Sequence, residues 1–352
     1  MDLADVTTLR LGGPAARVVE AHDEQALVAA VADADEAGRA VLLVAGGSNL
    51  VVADEGFDGD VVLVRSRGVQ VAADACSGAS VRVQAGHDWD ALVAQAVHEG
   101  WVGLEALSGI PGSTGATPVQ NVGAYGQEVA QTIAAVRAYD RHERRVRTLA
   151  ASDCAFSYRH SRFKAEPGRW VVLTVDFQLR LGDLSAPIAY GELASRLGVQ
   201  VGERAPLPDV RAAVLALRGA KGMVLDPADH DTWSAGSFFT NPVLEPAEAQ
   251  RLPEGAPRFP QPDGTVKSSA AWLIQHAGFA PGHHVGRGRA SVSTKHTLAL
   301  TNRGSASTED LLELARAVRD GVERAFGIRL VPEPVLVGCD LDSGAVAGVD
   351  AE

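Results

Sequence analysis

Two glycine-rich segments indicate a cofactor that carries phosphate groups. The first, Ala45-Gly46-Gly47-Ser48-Asn49-Leu50, follows the apolar run Val41–Val44, and the second is Ser108-Gly109-Ile110-Pro111-Gly112-Ser113-Thr114-Gly115-Ala116. Glycine lets backbone N–H groups approach phosphate oxygens, and consecutive amides form an anion-binding concavity. One such loop after a strand is more often an ordinary turn, whereas two in one chain favour a single long phosphate-bearing cofactor.

The two loops do not match the common nucleotide-binding motifs. The chain contains no Gly-x-x-x-x-Gly-Lys-Ser/Thr sequence, and no Gly-x-Gly-x-x-Gly opens a helix near its start. The spacing Gly109-x-x-Gly112-x-x-Gly115 is superficially similar, but it contains Pro111 and follows a segment, Trp89–Gly100, that is typical of a helix rather than a strand. A P-loop is therefore excluded and a Rossmann domain is not expected.

Two further polar segments have residue types suited to chemistry. In Cys154–Lys164 aromatic residues alternate with Arg, Ser and Lys, which fits either a site or a solvated loop. In Trp233–Pro242 a serine, Ser237, precedes two phenylalanines, so its hydroxyl lies either in a water-poor setting or at the end of a buried strand. The pair His283-His284 lacks a third ligand at suitable spacing, and we predict no metal site.

Composition limits the class of protein. A chain of 352 residues exceeds what one core usually serves, which predicts two or three domains, and 46% hydrophobic with 22% charged residues is typical of a globular protein. A net charge of −12 without a cluster of Lys and Arg argues against nucleic-acid binding. The three cysteines are widely spaced, which excludes a zinc ribbon or disulfide framework and fits a reducing cytosol. Without a signal peptide or an apolar run of about 18 residues, we expect a soluble cytoplasmic protein that does not associate with membranes.

The spacing of apolar residues predicts an α+β fold. Helical spacing occurs in Asp23–Ala37, Trp89–Gly100, Pro208–Ala220, Lys267–Ala277 and Thr308–Phe326, the last with Thr308 as its N-cap. Short β-branched or apolar runs predict strands at Val41–Val44, Val61–Val64, Val69–Ala73, Val81–Ala85, Ile133–Tyr139, Val146–Leu149, Trp170–Leu181, Ile328–Leu330 and Val335–Val337. The tail Ser343–Glu352 is expected to be frayed.

Several motifs, taken in order along the chain, resemble those of a known enzyme family. They are Thr8-Leu9-Arg10-Leu11-Gly12-Gly13-Pro14, the Gly46-Gly47-Ser48-Asn49-Leu50 loop, Ser108–Gly126, Tyr158-Arg159-x-Ser161, Ala235-Gly236-Ser237-Phe238-Phe239-x-Asn241-Pro242 and Pro332-Glu333. The set closely resembles the UDP-N-acetylenolpyruvoylglucosamine reductases, the MurB family, from about Thr7 to Gly338. The resemblance implies a bacterial enzyme of peptidoglycan precursor synthesis.

The resemblance also implies a domain organisation and a cofactor. It implies an FAD-binding domain of the vanillyl-alcohol-oxidase (PCMH) type with subdomains at about 1–70 and 71–182, a substrate-binding domain at 183–340 and a tail at 341–352. FAD is expected to bind non-covalently, NADPH is the expected co-substrate, and a monomer is expected. The residues expected to hold the cofactor are Ala45, Gly46, Gly47, Ser48, Asn49, Leu50, Ser108, Gly109, Ile110, Pro111, Gly112, Ser113, Thr114, Gly115, Ala116, Gln120, Asn121, Gly123, Ala124 and Tyr125.

Roles in the reaction carry over to individual residues. Hydride transfer to the enolpyruvyl double bond leaves an enolate, which the permanently charged Arg159 is suited to stabilise. Ser237 is expected to protonate the enolate carbon, and Glu333, enclosed between two prolines, is expected to support the enolate or order the site. The residues expected to bind substrate are Tyr158, Tyr190, Arg218, Lys221, Asn241 and Lys267; Tyr190 resembles the substrate-contacting tyrosine of the longer, type I subgroup.

Two other functions remain open from the sequence. One is a different FAD-dependent oxidoreductase on the same scaffold with covalently attached flavin; neither glycine loop contains the His or Cys that usually forms this bond, although Tyr125 lies nearby. The other is a nucleotide-sugar-binding protein without activity, which would not need Arg159, Ser237 and Glu333 together. Release of flavin on heat or acid denaturation distinguishes a reductase from the first alternative. NADPH consumption that depends on the enolpyruvyl nucleotide distinguishes it from the second.

Overall fold

The computed structural model describes residues 1–74 and 76–342, and these form two units that we describe separately. The larger unit comprises Ala16–Gly46 and Asp58–Val224. The smaller unit comprises Met1–Ala15, Gly47–Phe57 and the described residues from Leu225 to Asp342. Helices and strands occur in both units, and the predicted α+β character is confirmed.

The elements are numbered in chain order. The helices are α1 (Glu24–Glu36), α2 (Trp89–His98), α3 (Arg162–Ala165), α4 (Gly191–Leu197), α5 (Leu207–Ala220), α6 (Pro246–Ala249), α7 (Ala270–His276) and α8 (Thr308–Phe326). The strands are β1 (Ala15–Ala21), β2 (Val41–Val44), β3 (Leu50–Val52), β4 (Phe57–Val64), β5 (Val69–Asp74), β6 (Gly78–Gln84), β7 (Trp101–Val102), β8 (Gly123–Ala124), β9 (Gln127–Glu128), β10 (Ile133–Asp140), β11 (Arg145–Ala150), β12 (Trp170–Leu181), β13 (Val243–Leu244), β14 (Phe259–Pro260), β15 (Val266–Lys267), β16 (Ala290–Val292), β17 (Leu300–Asn302) and β18 (Val335–Val337).

A three-stranded sheet and one helix form the first layer of the larger unit. The sheet has the order β1-β4-β2, with β2 and β4 parallel. Helix α1 begins where the Asp23 carboxylate accepts a hydrogen bond from the Ala26 N–H at 2.8 Å, which satisfies one of the unpaired amides of the first turn. Its buried residues Leu27, Val31 and Ala34 follow helical spacing, and Leu27 and Val31 pack into a core with Val62 and Val64 of β4.

A six-stranded sheet forms the second layer of the larger unit. Its order is β11-β10-β12-β6-β5, and β7 pairs with the end of β12. The pairs along this order are antiparallel, and β12 occupies the full range Trp170–Leu181 that the sequence predicts. Helix α2 buries Trp89, Leu92 and Val93 in the same core as the sheet, which fixes the start of α2 next to the glycine loop that follows it.

Helices α4 and α5 form a further core in the larger unit, which is smaller than the core of the six-stranded sheet. Leu193 of α4 packs with Val210 and Val214 of α5. Pro208 stands in the first turn of α5, where its missing N–H costs nothing because that amide has no partner within the helix. The helix predicted at Pro208–Ala220 is confirmed, and the core orients its C-terminal end, which carries Arg218 and precedes Lys221.

The smaller unit is built around α8. Leu311, Ala315, Val318 and Val322 of this helix are buried in one core with side chains of α7, β16 and β17. Strand β18 pairs in parallel with β3, the strand that follows the first glycine loop.

The N-terminal boundary of α8 differs from the prediction. Thr308 is the first helical residue and Ser307 is the cap: its hydroxyl accepts from the Asp310 N–H at 3.1 Å, and the Asp310 carboxylate accepts from the Ser307 N–H at 2.9 Å. The Thr308 hydroxyl instead donates to the Val52 carbonyl at 2.6 Å. Two adjacent hydroxyl residues compete for one cap, and this buried contact to β3 decides between them.

Two other predicted elements are partly wrong. The helix expected at Lys267–Ala277 begins at Ala270, because Ser269 accepts from the Trp272 N–H as its cap, and Lys267 ends strand β15. The strand expected at Ile328–Leu330 is absent from the described residues there, although both Ile328 and Leu330 are buried in the core of the smaller unit. Their apolar character reflects burial and not sheet pairing.

Two features are absent from the described part of the chain. No helix there combines the length and apolar character needed to cross a bilayer. No group of three or more His, Cys, Asp or Glu side chains in residues 1–74 and 76–342 is arranged to hold a metal ion. The tail predicted to be frayed, 343–352, lies outside the described residues.

Candidate functional site

The two glycine loops meet within the larger unit. A Cβ atom built on Gly46 would lie 2.5 Å from the Cα atom of Gly112, closer than real Cβ atoms approach a neighbour. Gly112 itself has φ +125°, a conformation that side-chain-bearing residues rarely adopt. The Ala45 carbonyl accepts from the Arg65 guanidinium at 2.9 Å, which anchors the end of β2 beside this contact. Gly46 and Gly112 are 66 positions apart in the sequence, and the fold brings them together.

Gly47 has a different reason to be glycine. Its φ is +58°, and a side chain would collide with the Val6 carbonyl, both residues belonging to the smaller unit. The Gly47 carbonyl also accepts from the Thr8 N–H at 3.1 Å. Gly47 therefore allows the N-terminal segment to pack closely.

The second loop has polar groups that fit a polar ligand. The side chain of Ser113 is only 4% exposed, and its Oγ has no hydrogen-bond partner among the described residues. A buried hydroxyl without a partner costs free energy, so a ligand oxygen there would be favourable. The N–H groups of Thr114 and Gly115 donate to the carbonyls of His87 and Ala85, both at 2.8 Å, and are therefore not available to phosphate.

A tight turn at Gln120–Tyr125 stands beside Arg159. Asn121 and Tyr125 have φ of +48° and +49°, which is uncommon for residues with side chains, and β8 and β9 form a short hairpin here. Arg159 donates to the Gly123 carbonyl at 2.6 Å and to the Asn121 carbonyl at 3.3 Å. Its own φ is +51° and its guanidinium lies 5.4 Å from the ring centre of Tyr158. Strained backbone of this kind clusters at functional sites.

Four of the predicted substrate or cofactor residues form one cluster in the larger unit. The rings of Tyr125 and Tyr190 meet edge to face at 5.6 Å, and the Lys221 ammonium lies 5.8 Å from the centre of the Tyr125 ring. Lys221 also donates to Glu192 at 2.6 Å. Burial lowers the pKa of the Arg218 guanidinium to about 10, and its Nε has no partner in the part of the chain that the structure describes. Burial also raises the pKa of the Tyr125 hydroxyl.

The backbone segments that carry Ser237 and Glu333 lie next to each other in the smaller unit. The Glu333 N–H donates to the carbonyl of Phe238 at 2.8 Å, and Phe239 forms a bridge with Pro332. Because Pro332 and Pro334 have no N–H, this segment cannot continue a ladder, and it turns there into β18. The two predicted catalytic residues of this unit are therefore held by adjacent backbone segments. Ser237 itself is half-buried rather than enclosed.

The end of the first glycine loop is hydrogen-bonded to the segment that carries Glu333. The Asn49 side-chain amide donates to the Glu333 carbonyl at 3.3 Å, and the Asn49 carbonyl accepts from the Val335 N–H at 2.9 Å. The end of this loop and the Glu333 segment are therefore fixed to each other, so a ligand that contacts Ser48 or Asn49 also lies near Glu333.

Asn241 and Lys267 lie on two segments of the smaller unit that the pairing of β13 with β15 joins. The Asn241 side-chain carbonyl accepts from the Ala270 N–H at 2.9 Å, which fixes the start of α7. Strands β13 and β15 pair antiparallel with Val243 opposite Lys267. This geometry gives Asn241 a structural role in addition to any contact with substrate.

Sequence reasoning missed two carboxylates that form hydrogen bonds in or just before the second loop, those of Asp90 and Glu105. The Asp90 carboxylate accepts from the Gly109 N–H at 2.6 Å and pairs with Arg211. The Glu105 carboxylate, 1% exposed, accepts from the N–H groups of Gly103 and Ala186, both at 2.7 Å. An acidic residue in the first turn of a helix usually serves the helix dipole, so Asp90 carried no distinctive local signal.

Comparisons with known proteins agree with these features. The family model described as UDP-N-acetylenolpyruvoylglucosamine reductase, C-terminal domain, matches residues 226–337, and an FAD binding domain model matches residues 15–148. The UDP-N-acetylenolpyruvoylglucosamine reductase of Salinispora arenicola is 58% identical over 346 residues, covering 96% of this chain and 95% of that protein. The enzyme of the same name from Streptomyces coelicolor is 55% identical over 350 residues, covering 96% and 90%.

A solved structure extends the similarity to the fold. The crystal structure of UDP-N-acetylenolpyruvylglucosamine reductase (MurB) from Thermus caldophilus aligns with a TM-score of 0.65 at 25% sequence identity. The alignment covers 96% of this chain and 97% of that one.

Proposed function

The chain belongs to the UDP-N-acetylenolpyruvoylglucosamine reductase (MurB) family, and on that basis we propose the residues that carry out its reaction. The protein is an FAD-dependent oxidoreductase, UDP-N-acetylmuramate dehydrogenase, of peptidoglycan precursor synthesis. Its fold combines an FAD-binding domain of the PCMH type with the C-terminal domain of this family. Family membership implies enolpyruvyl-UDP-N-acetylglucosamine as substrate and NADPH as reductant.

We assign the cofactor to the two glycine loops and the Gln120–Tyr125 turn. The observation that carries this assignment is the contact between Gly46 and Gly112, which leaves no room for a Cβ atom between the loops. The hydroxyl of Ser113 in the same loop has no partner among the described residues, and it can donate a hydrogen bond to a phosphate or ribose oxygen. The FAD-binding family match over residues 15–148 includes all of these residues. FAD, when bound, supplies hydride transfer from NADPH to the enolpyruvyl double bond.

We propose that Arg159 stabilises the negative charge that hydride transfer creates on the substrate. When the terminal carbon gains hydride, the electron pair of the double bond moves toward the carbon that bears the carboxylate and delocalises into an enolate. A guanidinium stays charged at all relevant pH values and binds a carboxylate through two parallel hydrogen bonds. The bonds from Arg159 to the carbonyls of Gly123 and Asn121 fix this cation in advance, so little reorganisation accompanies the reaction.

We propose that Ser237 then protonates the enolate carbon and that Glu333 supports this step. A serine hydroxyl is a weak acid in water, but an enolate carbon is strongly basic and accepts a proton from a hydroxyl placed within hydrogen-bond reach. The backbone segments that carry Ser237 and Glu333 are adjacent, because the Glu333 N–H donates to the carbonyl of Phe238, the residue after Ser237. The neighbouring Phe238, which is fully buried, limits movement of the serine backbone.

We propose that the remaining polar residues bind the nucleotide part of the substrate. The cluster of Tyr190, Arg218 and Lys221 combines cations with aromatic rings, a combination suited to a diphosphate and a uridine base. Such local positive charge offsets the repulsion expected from a net charge of −12. Asn241, Lys267 and Tyr158 are assigned to the same substrate. We further propose that the protein acts as a cytoplasmic monomer, with domains close to 1–70, 71–182 and 183–340.

A direct assay tests the proposed function. The purified protein should show flavin absorption bands, release its flavin on heat or acid denaturation, and consume NADPH only when the enolpyruvyl nucleotide is present. Flavin that stays attached to the denatured chain would favour an oxidase with covalent flavin. A colourless protein that FAD cannot reconstitute would contradict the assignment of the loops.

A further inference from the structure

Asp90 connects two segments of the larger unit that the proposed function uses separately. Its Oδ1 accepts from the Gly109 N–H at 2.6 Å, in the second glycine loop. Arg211 of α5 donates to both oxygens of the same carboxylate, at 2.7 Å to Oδ1 and 2.8 Å to Oδ2. One carboxylate at the start of α2 therefore fixes both the loop and the helix.

Packing strengthens the connection between the loop and α5. Gly109 has φ +71°, and a Cβ atom built on it would lie 2.7 Å from Leu215 Cδ2 and 3.2 Å from Val224 Cγ2. The next nearest atom is Arg218 Nε at 3.6 Å. The loop thus lies directly on the side chains of α5 and of the segment after it. A shift of α5 must move the loop or open a gap.

The Asp90 carboxylate also balances the charge of the arginines on α5. Burial opposes the charge of Asp90, but hydrogen bonds from Arg211 and Gly109 and the charges of Arg211 and Arg218 outweigh it and lower its pKa. The carboxylate is consequently ionised at neutral pH. It offsets the positive charge of two guanidinium groups on one helix, and a neutral residue would remove that compensation.

We propose that Asp90 and Arg211 are positioning residues that couple the cofactor loop to the nucleotide-binding cluster. The pair fixes Gly109 relative to α5, whose C-terminal end carries Arg218 and leads into Lys221. Binding of FAD at the loop and binding of the UDP-sugar at the cluster then both depend on the Asp90 carboxylate, the first through its bond from Gly109 and the second through its bonds from Arg211. This inference rests on the proposed function, because it takes the loop as part of the FAD site and the cluster as part of the substrate site.

Two variants distinguish the hydrogen bond between Asp90 and the loop from the ion pair between Asp90 and α5. Asp90→Asn removes the charge that holds both segments, whereas Arg211→Met removes only the bond to α5 and leaves the carboxylate to accept from Gly109. The pair Asp35 and Arg141 supplies a matched control in the same unit: Arg141 and Asp35 are 18% and 21% exposed, against 19% and 35% for Arg211 and Asp90. Asp35→Asn removes a similar two-bond ion pair away from the loops.

The experiment measures the Kd of FAD for the apoprotein and the KM of the holoenzyme for the enolpyruvyl nucleotide. For Asp90→Asn we expect both constants to rise by at least about fivefold, the lower end of typical coupling between sites. For Arg211→Met we expect the same rise in KM while the Kd of FAD changes by less than about twofold. NADPH-driven bleaching of the bound flavin should keep its rate in Arg211→Met, and Asp35→Asn should leave Kd and KM unchanged.

Three results would overturn the inference. The first is that Asp90→Asn folds and keeps both wild-type constants. The second is that Asp35→Asn raises the constants as much as Asp90→Asn, which would mean a general loss of stability. The third is that Arg211→Met keeps the wild-type KM, a test that stands even if Asp90→Asn does not fold. Failure of the proposed function appears separately, as wild-type protein that does not oxidise NADPH with the enolpyruvyl nucleotide.

Discussion

Replacing Gly46 by alanine tests the assignment of the two loops to the cofactor. The new Cβ would stand 2.5 Å from the Gly112 Cα, whereas real Cβ atoms rarely come within 3.0 Å of a neighbour and ordinary contact begins near 3.4 Å. The loops must therefore separate by between half an ångström and nearly one ångström. Gly46 has no positive φ, so the effect is steric and backbone strain does not contribute.

We expect Gly46→Ala to weaken the binding of FAD. In the apoprotein the loops relieve the clash by moving apart, and bound FAD must bring them back. Overpacking of this kind costs about 1–3 kcal/mol, which corresponds to a Kd for FAD that is about 5- to 150-fold weaker. Titration of the apoprotein with FAD, followed by flavin fluorescence, measures this constant.

Gly182→Ala is the matched control for Gly46→Ala. A Cβ atom at Gly182 would have its nearest neighbour at 3.7 Å, Val102 Cγ2, which is an ordinary contact in the same unit. We expect this variant to bind FAD like the wild type. If Gly46→Ala folds and binds FAD with the wild-type Kd, the two loops do not form the cofactor site and the reasoning fails.

Three other predictions concern substrate binding, catalysis and stability. Tyr190→Phe and Lys221→Ala should raise the KM for the enolpyruvyl nucleotide by about tenfold and leave the rate at saturating substrate unchanged. The reason is that the two side chains are assigned to groups of the substrate whose charge does not change in the reaction. A severe loss of the hydride-transfer rate at saturation, measured by rapid mixing, would instead place them at the reacting carbon. Glu333→Gln should slow flavin reoxidation by the substrate and leave FAD binding unchanged, and a fall in FAD affinity would contradict this. The Arg169 guanidinium lowers the pKa of the buried Asp140 carboxyl from 3.8 to about 2, so its stabilisation is complete above pH 3.8 and is lost as the pH falls through about 2. Asp140→Asn should therefore unfold in urea with roughly 2 kcal/mol less stability at pH 7, and the difference should disappear near pH 2; an equal difference at both pH values would exclude this cause.

Local signals in the sequence were sufficient for most elements of the larger unit. The cap at Asp23, the helical spacing of Leu27 and Val31, and the long apolar run of β12 each depend on residues near one another in the chain. The short helix α4 was not anticipated, because Gly191 at its first position weakens helical propensity. Its stability comes from burial of Leu193 against α5, which a local pattern does not reveal.

The smaller unit shows where local patterns mislead. Ile328 and Leu330 have the composition of a strand, but they fill the core around α8 and the prolines after them prevent a ladder. Lys267 was assigned to a helix whose actual start is set by Ser269 and by Asn241, which reaches it from a distant segment. In both cases tertiary contacts decide the backbone conformation.

The candidate site was predictable in its residue types and not in its supporting contacts. The glycine loops and Arg159 were recognisable because their chemistry and motif context are local. The pair of Asp90 and Arg211 joins positions 121 residues apart, and neither residue stands in a distinctive motif. Such a pair becomes visible only when the fold places the start of α2 against α5.

Rapid mixing of the two half-reactions of Ser237→Ala tests the central claim most directly. NADPH should bleach the flavin absorbance of this variant at close to the wild-type rate, because no proton from Ser237 is needed there. Recovery of the absorbance on adding the enolpyruvyl nucleotide should become very slow, and Ser237→Cys should restore part of the rate because a thiol is a better acid of similar size. A normal recovery in Ser237→Ala would mean that the proton comes from another group. Equal slowing of both half-reactions would mean that Ser237 shapes the flavin site rather than donating the proton.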